Sequence, residues 1–353
     1  MVADRWFPGV DNNTVHFRPA VKEKIMGRNS IHWLRIEAAL AGERHDAIPV
    51  SLWKHYHLLD RAPGHLARRT DEFHRQFGFD LAKLTPSGLY GVQDWGVGIQ
   101  FGRHDDEAPT VIASPVGLAA DWKSLPALKP ETGALGRELE MCSRVRELWG
   151  DGVPYMMTIF SPITLAHKIA GDRVYEHMRH DPALLHAGLR TIRDTVVRYV
   201  RACNTVGVPG YFLATQQASR DVLSPEEYRE FGLAYDADIA SELGDSAIRM
   251  LHVCGSNIML DEAAQLDVNC LSWSAGGGNP DVAEARRLTD KALAAGLNLE
   301  TMRSGTEDDN RAMVAALVDD HPGPGLILAP DCVVKGDSPD KNLTAVVDAA
   351  RDL

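Results

Sequence analysis

Runs of apolar and β-branched residues closed by turn or polar residues recur along the chain and alternate with amphipathic helical stretches, a pattern that predicts repeated βα units. Eight such runs stand out, at residues 48–53, 79–84, 153–160, 208–214, 247–253, 268–273, 297–301 and 325–329. The helical stretches are clearest late in the chain. One is predicted over 281–295, opening after Asn279-Pro280 and stopping at Gly296; another opens at Ser224-Pro225-Glu226-Glu227. Eight strands, each followed by a helix, within roughly 250 to 400 residues predict an α/β fold of the (β/α)8 TIM-barrel type rather than a doubly wound sheet. The whole chain, 1–353, reads as a single barrel domain.

Two regions break the alternation. Residues 1–45 read as a helical extension, with helix expected from about Pro19 to Leu40 and packing across the bottom or side of the barrel. Residues 90–128 form a long excursion after the second strand. Its alternating segments 97–101 and 110–112 predict a β-hairpin with its tip at Arg103 to Glu107. A long βα excursion on a barrel is expected to cover the active-site mouth, because βα loops build that face. Neither an internal repeat nor an interdomain linker is apparent.

Composition narrows the function classes. Of 353 residues 44% are hydrophobic and 24% charged, enough for a large core, which excludes a disordered or fibrous chain. Lys and Arg total 37 against 49 Asp and Glu, and the formal charge of -12 argues against nucleic acid and anionic lipid as partners. The five cysteines are too few and too scattered for a disulfide framework, which fits a reducing, cytoplasmic setting. The first residues carry Asp4, Trp6 and Pro8 where an export signal needs an apolar stretch, and no uncharged run reaches the roughly 18 to 20 residues of a membrane span.

The sharpest chemical signal is His252-Val253-Cys254 at the exit of the fifth strand, with Cys332 just past the eighth. Residues i and i+2 of an extended segment face the same way, so an imidazole and a thiolate are presented to one point. An isolated pair of this kind also reads as a small core cysteine beside a hydrogen-bonded histidine. The second cysteine, at another strand exit on the same barrel face, favours a His-Cys-Cys set for Zn2+ with one open position. Cys142, Cys203 and Cys270 read as core residues. Trp53 ends the first strand, and His55 and His57 continue it with the same spacing. The two histidines read either as acid, base or hydrogen-bonding groups toward substrate, or as plain loop residues. Gln216 and Gln217 after the fourth strand, Trp273 at the end of the sixth, and Glu300, Met302 and Arg303 at the end of the seventh are expected to line the mouth and orient a ligand. Either Glu300 or Asp331 is a candidate for the fourth zinc ligand. Gly276-Gly277-Gly278 lacks both phosphate-loop signatures and reads as a turn.

His252-Val253-Cys254-Gly255, the segment from Ser161 to Ala166, the run from Leu223 to Phe231, and Leu328-Ala329-Pro330-Asp331-Cys332 together resemble the uroporphyrinogen decarboxylase superfamily, from about Ile48 to the C-terminus. The resemblance implies a (β/α)8 barrel and one of two chemistries: metal-free decarboxylation of uroporphyrinogen, or zinc-dependent methyl transfer from a corrinoid protein to a thiol such as coenzyme M. The methyltransferase branch carries a His-x-Cys pair and a last-strand Cys, matched here by His252, Cys254 and Cys332. That last Cys often sits in Gly-Cys-Gly, whereas here it sits in Asp331-Cys332-Val333. The decarboxylases carry an Arg-rich turn after the first strand and an Asp after the second, where this chain has Lys54 and Ala82. An octa-anionic substrate without its arginine clamp leaves charges unpaired at several kcal/mol per ion. The resemblance therefore implies a zinc-dependent, thiol-accepting methyltransferase, with the corrinoid supplied by a partner protein because this chain has no corrinoid-binding signature. The rival is a zinc lyase or hydrolase in which the metal activates water and His55 or His57 handles protons.

Overall fold

The computed structural model describes residues 28–321 and 323–353. Ten strands are present among them: β1 (Ser51–Leu52), β2 (Leu81–Leu84), β3 (Gly98–Gln100), β4 (Thr110–Ala113), β5 (Tyr155–Phe160), β6 (Gly210–Thr215), β7 (Ile248–Val253), β8 (Cys270–Trp273), β9 (Ala292–Leu297) and β10 (Leu326–Pro330). Eight form one parallel sheet in the order β1-β2-β5-β6-β7-β8-β9-β10. A parallel bridge between Val50 and Leu328 brings its two edges together, so the sheet closes into the predicted (β/α)8 barrel. Every position of β2, β5, β6, β8 and β10 is buried, as expected of strands with a packed interior on one side and helices on the other.

The helices follow the caps written in the chain. Pro162–Ala170 starts one residue past β5 with Pro at its first turn. Pro225–Tyr228 opens on a capping box between Ser224 and Glu227 and runs through a π-helical turn, Arg229–Leu233, into Ala234–Leu243.

One expected strand is displaced. The stretch ending at Gly296 was expected to be helical and the seventh strand to span 297–301. Instead the helix is only Val282–Arg286, capped by Asp281, and the strand is Ala292–Leu297. Alanine-rich Ala292-Leu293-Ala294-Ala295 favours helix in isolation, but a slot between β8 and β10 satisfies its backbone and buries it on both faces, and this tertiary demand overrides propensity. Asn298 then caps a new helix, Leu299–Ser304, by accepting a hydrogen bond from the Thr301 N–H.

The excursion after β2 contains the expected hairpin, β3 against β4, with Ile99 opposite Val111. Its tip reaches the loop after β1: the Leu58 N–H donates to Asp105 Oδ1 at 3.1 Å, and the Arg61 guanidinium lies 4.5 Å from the Phe101 ring centroid. The hairpin thus overhangs one side of the strand-exit face.

At the other end of the barrel, helix Ile31–Ala41 covers the strand entrances; the part of the expected N-terminal helix before Arg28 lies outside the described residues. Asp80, fully buried just before β2, holds this end together. Its carboxylate accepts from His32 at 3.0 Å, Arg35 at 3.2 Å, Arg351 at 2.7 Å and the Val50 N–H at 3.0 Å. Burial alone raises the pKa of such a carboxyl, yet it is held below the usual range because His32 and Arg351 more than offset the lost hydration. Among the described residues no helix is long and apolar enough to cross a membrane.

Candidate active site

The site grows from the exits of β7 and β10. In register, His252 of β7 stands opposite Ser272 of β8, so its Nδ1 meets the Ser272 hydroxyl at 3.1 Å inside the barrel wall. On its other flank Ala214 of β6 is its register neighbour, and the Phe212 ring stacks on the imidazole at 4.9 Å between centroids. Burial, with Lys83 nearby, pushes the His252 pKa down to about 3, so the ring is neutral and keeps a nitrogen lone pair. Cys254 follows two residues on, its N–H bonded to the Thr215 carbonyl at 2.9 Å. The turn beyond it needs Gly255, whose φ of 113° disfavours a side chain. Burial pushes the Cys254 thiol up to about 11, and Cys332 adds to the rise. Cys332 itself is exposed, two residues past β10.

These three side chains line one pocket of about 150 Å³, together with Trp53, His55, Lys83, Thr158, Lys168, Phe212 and Gln216. The chemistry of the donors, one neutral imidazole and two thiols, fits a soft-to-borderline ion such as Zn2+. The set is open: among the described residues the group of three His, Cys, Asp or Glu whose ligand atoms all lie within 4.8 Å of one another is His55, His57 and Asp60, not His252, Cys254 and Cys332. To hold one ion these three side chains would have to come closer together than they stand here.

Of the other residues singled out in the sequence, Trp53, His55 and Gln216 reach the pocket. His57 is stacked on His55 behind it, centroids 4.8 Å apart. Trp273 does not line it; its indole N–H donates to the Pro280 carbonyl at 2.7 Å, and the residue is fully buried. Asp331 ties two loops together by accepting from the Ala275 N–H at 3.2 Å. Glu300 and Arg303 are displaced with the seventh strand onto the outer face of Leu299–Ser304. There Glu300 accepts from Ser304 and Arg303 pairs with Asp337 at 2.7 Å, and neither lines the pocket. Gln217 is buried and accepts from the Tyr175 hydroxyl. The three-glycine run is the expected turn, closed by the Asn279 N–H on the Gly276 carbonyl.

Two residues that the sequence reading passed over are Lys83 and Lys168. Lys83 projects from β2 with its Nζ 4.4 Å from the Phe212 ring centroid and 5.5 Å from that of Trp53. Lys168 lies over Phe160 at 4.8 Å. Burial lowers both to about 8, and the neighbouring thiols oppose the fall: Cys332 and Cys254 for Lys83, Cys254 for Lys168. A lysine inside the otherwise apolar strand Leu81-Ala82-Lys83-Leu84 was a readable signal, since a strand buried on both faces admits a charge only for a reason.

The family described as "Uroporphyrinogen decarboxylase (URO-D)" matches residues 35–353, nearly the whole chain. The chain belongs to the uroporphyrinogen decarboxylase (URO-D) family. It is similar to a Methanosarcina mazei protein named methylcobamide:CoM methyltransferase MtbA, at 23% identity over 292 residues, covering 81% of this chain and 84% of the relative. It is also similar to a uroporphyrinogen decarboxylase of Syntrophotalea carbinolica, at 27% identity over 288 residues, covering 78% and 80%. Among solved structures, a methyltransferase from Methanosarcina mazei superposes with a TM-score of 0.79 at 22% identity, covering 90% of this chain and 97% of that one, which agrees with the barrel fold.

Proposed function

We propose that this URO-D family member is a zinc-dependent methyltransferase that moves a methyl group from a corrinoid, carried by a separate protein, to a small thiol. The observation that carries this reading is the donor set: His252, Cys254 and Cys332 line one pocket whose lining contains two lysines and neither arginine nor a carboxylate. Three protein ligands leave a position for substrate. When bound, zinc supplies the Lewis acidity that keeps an incoming thiol deprotonated, and the partner's corrinoid supplies the methyl group. The relative named methylcobamide:CoM methyltransferase supports the same pair of substrates.

The chain's own residues prepare the pocket. Ser272 fixes the His252 ring with Nδ1 engaged, leaving Nε2 to the ligand position. Trp53, Phe160 and Phe212 form apolar walls that exclude water and strengthen every charge interaction inside. Lys83 and Lys168 hold positive charge against sulfur and against an anionic end of the acceptor, as a sulfonate or carboxylate thiol would present. Gln216, exposed at the rim, orients the acceptor.

Decarboxylation of uroporphyrinogen is disfavoured by the same lining. Lys54, at the position of the decarboxylases' arginine turn, is spent on the Gly336 carbonyl at 2.9 Å, and no arginine lines the pocket to meet a ring of carboxylates.

Metal analysis and turnover test the reading. The wild type should hold sulfur-ligated zinc that is lost in Cys254→Ala and Cys332→Ala, and should methylate an anionic thiol from methylcobalamin under anaerobic conditions. X-ray absorption should count about one more sulfur at ~2.3 Å when that thiol is added. An unchanged sulfur count with every thiol, joined to hydrolysis that depends on His55 or His57, would replace this reading with the hydrolase one. Turnover of uroporphyrinogen would replace it with the decarboxylase.

A further inference from the structure

A second cluster of ligating side chains, on the turn after β1, is not used by methyl transfer. One ligand atom each from His55, His57 and Asp60 lies within 4.8 Å of the other two. Their surroundings are not those of a solvent-facing loop. Asp60 is only 2% exposed; its Oδ2 faces His57 Nδ1 at a long 3.3 Å, and its Oδ1 has no hydrogen-bond partner. His55 Nδ1 is likewise buried without a partner. Each buried polar atom left unmet costs about 1–3 kcal/mol, a cost that a cation held among the three side chains would relieve.

We propose that His55, His57 and Asp60 form a second metal site, distinct from the soft set, for a divalent first-row ion that accepts two imidazoles and a carboxylate, such as zinc, cobalt or nickel. Two nitrogens and one oxygen suit these ions and leave positions for water or substrate. Tetrahedral zinc with bonds near 2.1 Å places its ligand atoms roughly 3.4 Å apart, so the cluster closes by about 1.4 Å at most, within the reach of side-chain rotation. His55 also lines the pocket, so an ion held here stands in the wall of the cavity that Cys254 and Cys332 share. Lys83 beside His55 and Arg137 beside Asp60 both oppose a cation with a single carboxylate to set against them, whereas the soft set has two thiolates to set against Lys83 and Lys168, which makes this the weaker of the two sites.

The test is an anaerobic Co2+ titration of metal-free protein, because a thiolate site gives near-ultraviolet charge-transfer bands and a nitrogen and oxygen site gives only weak visible ones. Wild type should fill in two steps, the thiolate step first. Cys254→Ala/Cys332→Ala should keep about one equivalent without the thiolate band. His57→Ala and Asp60→Asn should each weaken the second step at least tenfold while sparing the first, and Asp60→Glu should restore it. A single step that vanishes with the cysteines overturns this inference and leaves the methyltransferase reading standing. One thiolate-free step in both wild type and the cysteine variant does the reverse. Should His57→Ala not fold, X-ray absorption of the zinc-loaded His252→Ala/Cys254→Ala/Cys332→Ala protein still decides: scattering from about two imidazoles supports the site, and a shell of oxygens alone overturns it.

Discussion

Ser272→Ala removes one hydroxyl, 3.1 Å from His252 Nδ1, and nothing that touches a ligand position. Both residues are inside the barrel wall, with His252 5% exposed and Ser272 not at all, so water does not replace the lost oxygen. An unmet buried N–H costs about 1–3 kcal/mol. The loss falls mainly on the metal-bound state: coordination through Nε2 polarises the Nδ1–H, making its bond to Ser272 stronger there than in the metal-free protein, where the ring is free to change tautomer. Partners of this kind are worth about 10–100-fold in metal affinity, equivalent to about 1.4–2.7 kcal/mol, which agrees with the estimate from the hydrogen bond. Competition against a chromophoric zinc chelator measures it, with thermal unfolding of the metal-free proteins confirming that Ser272→Ala still folds. A Ser272→Ala protein within twofold of wild type, alongside a Cys254→Ala protein that loses its sulfur-ligated zinc, would show that His252 is not a zinc ligand oriented by Ser272.

Three further outcomes follow from the described contacts. Lys83→Met should raise KM for an anionic thiol about 10–100-fold with little change for a neutral thiol, and should also raise the melting temperature, since a buried ammonium without a carboxylate partner weighs against folding; equal effects on both thiols would remove Lys83 from substrate binding. Asp80→Asn should cost about 3–5 kcal/mol in urea unfolding by removing the buried negative charge that Arg351 and Arg35 share, leaving Arg35 with Asp46 alone, and a loss below about 1 kcal/mol would mean the barrel floor does not depend on it. Asp236, fully buried with its carboxyl pushed up to about 7 by burial against 3.8 when unfolded, binds its proton more tightly in the native state. Its contribution is complete below about pH 4 and is lost as pH rises toward 7, so Asp236→Asn should gain on wild type by a few kcal/mol between pH 5 and pH 8; a pH-independent difference would refute the burial argument.

The barrel and the hairpin were legible because strands buried on both faces leave long apolar runs and a half-exposed ribbon leaves an alternating one. That His252, Cys254 and Cys332 line one pocket was legible because their spacing survives any small error in strand ends. β9 was not, since Ala292-Leu293-Ala294-Ala295-Gly296 carries no β-branched side chain to mark a strand, and only the neighbours β8 and β10 decide it. That one shift moved Glu300 and Arg303 from the expected mouth to the outside of a helix. Trp273 failed for a different reason: alternation names two faces, and its indole is committed to the Pro280 carbonyl on the one away from the pocket. Lys168 lies on a helix, where one-dimensional spacing gives no hint that its amine swings over Phe160.

The β3–β4 ribbon is the one piece of sheet outside the barrel among the described residues, two short strands with every residue of β4 open to solvent. Two strands alone are marginal in water, so this ribbon opens independently of the barrel, at a free energy well below that of global unfolding. Its amides should therefore trade hydrogen for deuterium long before those of β5 or β6. Because its tip is fastened at Asp105 to the Leu58 amide beside the pocket, any large partner that settles on the strand-exit face must press on it. Slowed exchange at Ile99, Gln100 and Thr110 would then serve as a built-in reporter of docking, readable without knowing the partner's footprint.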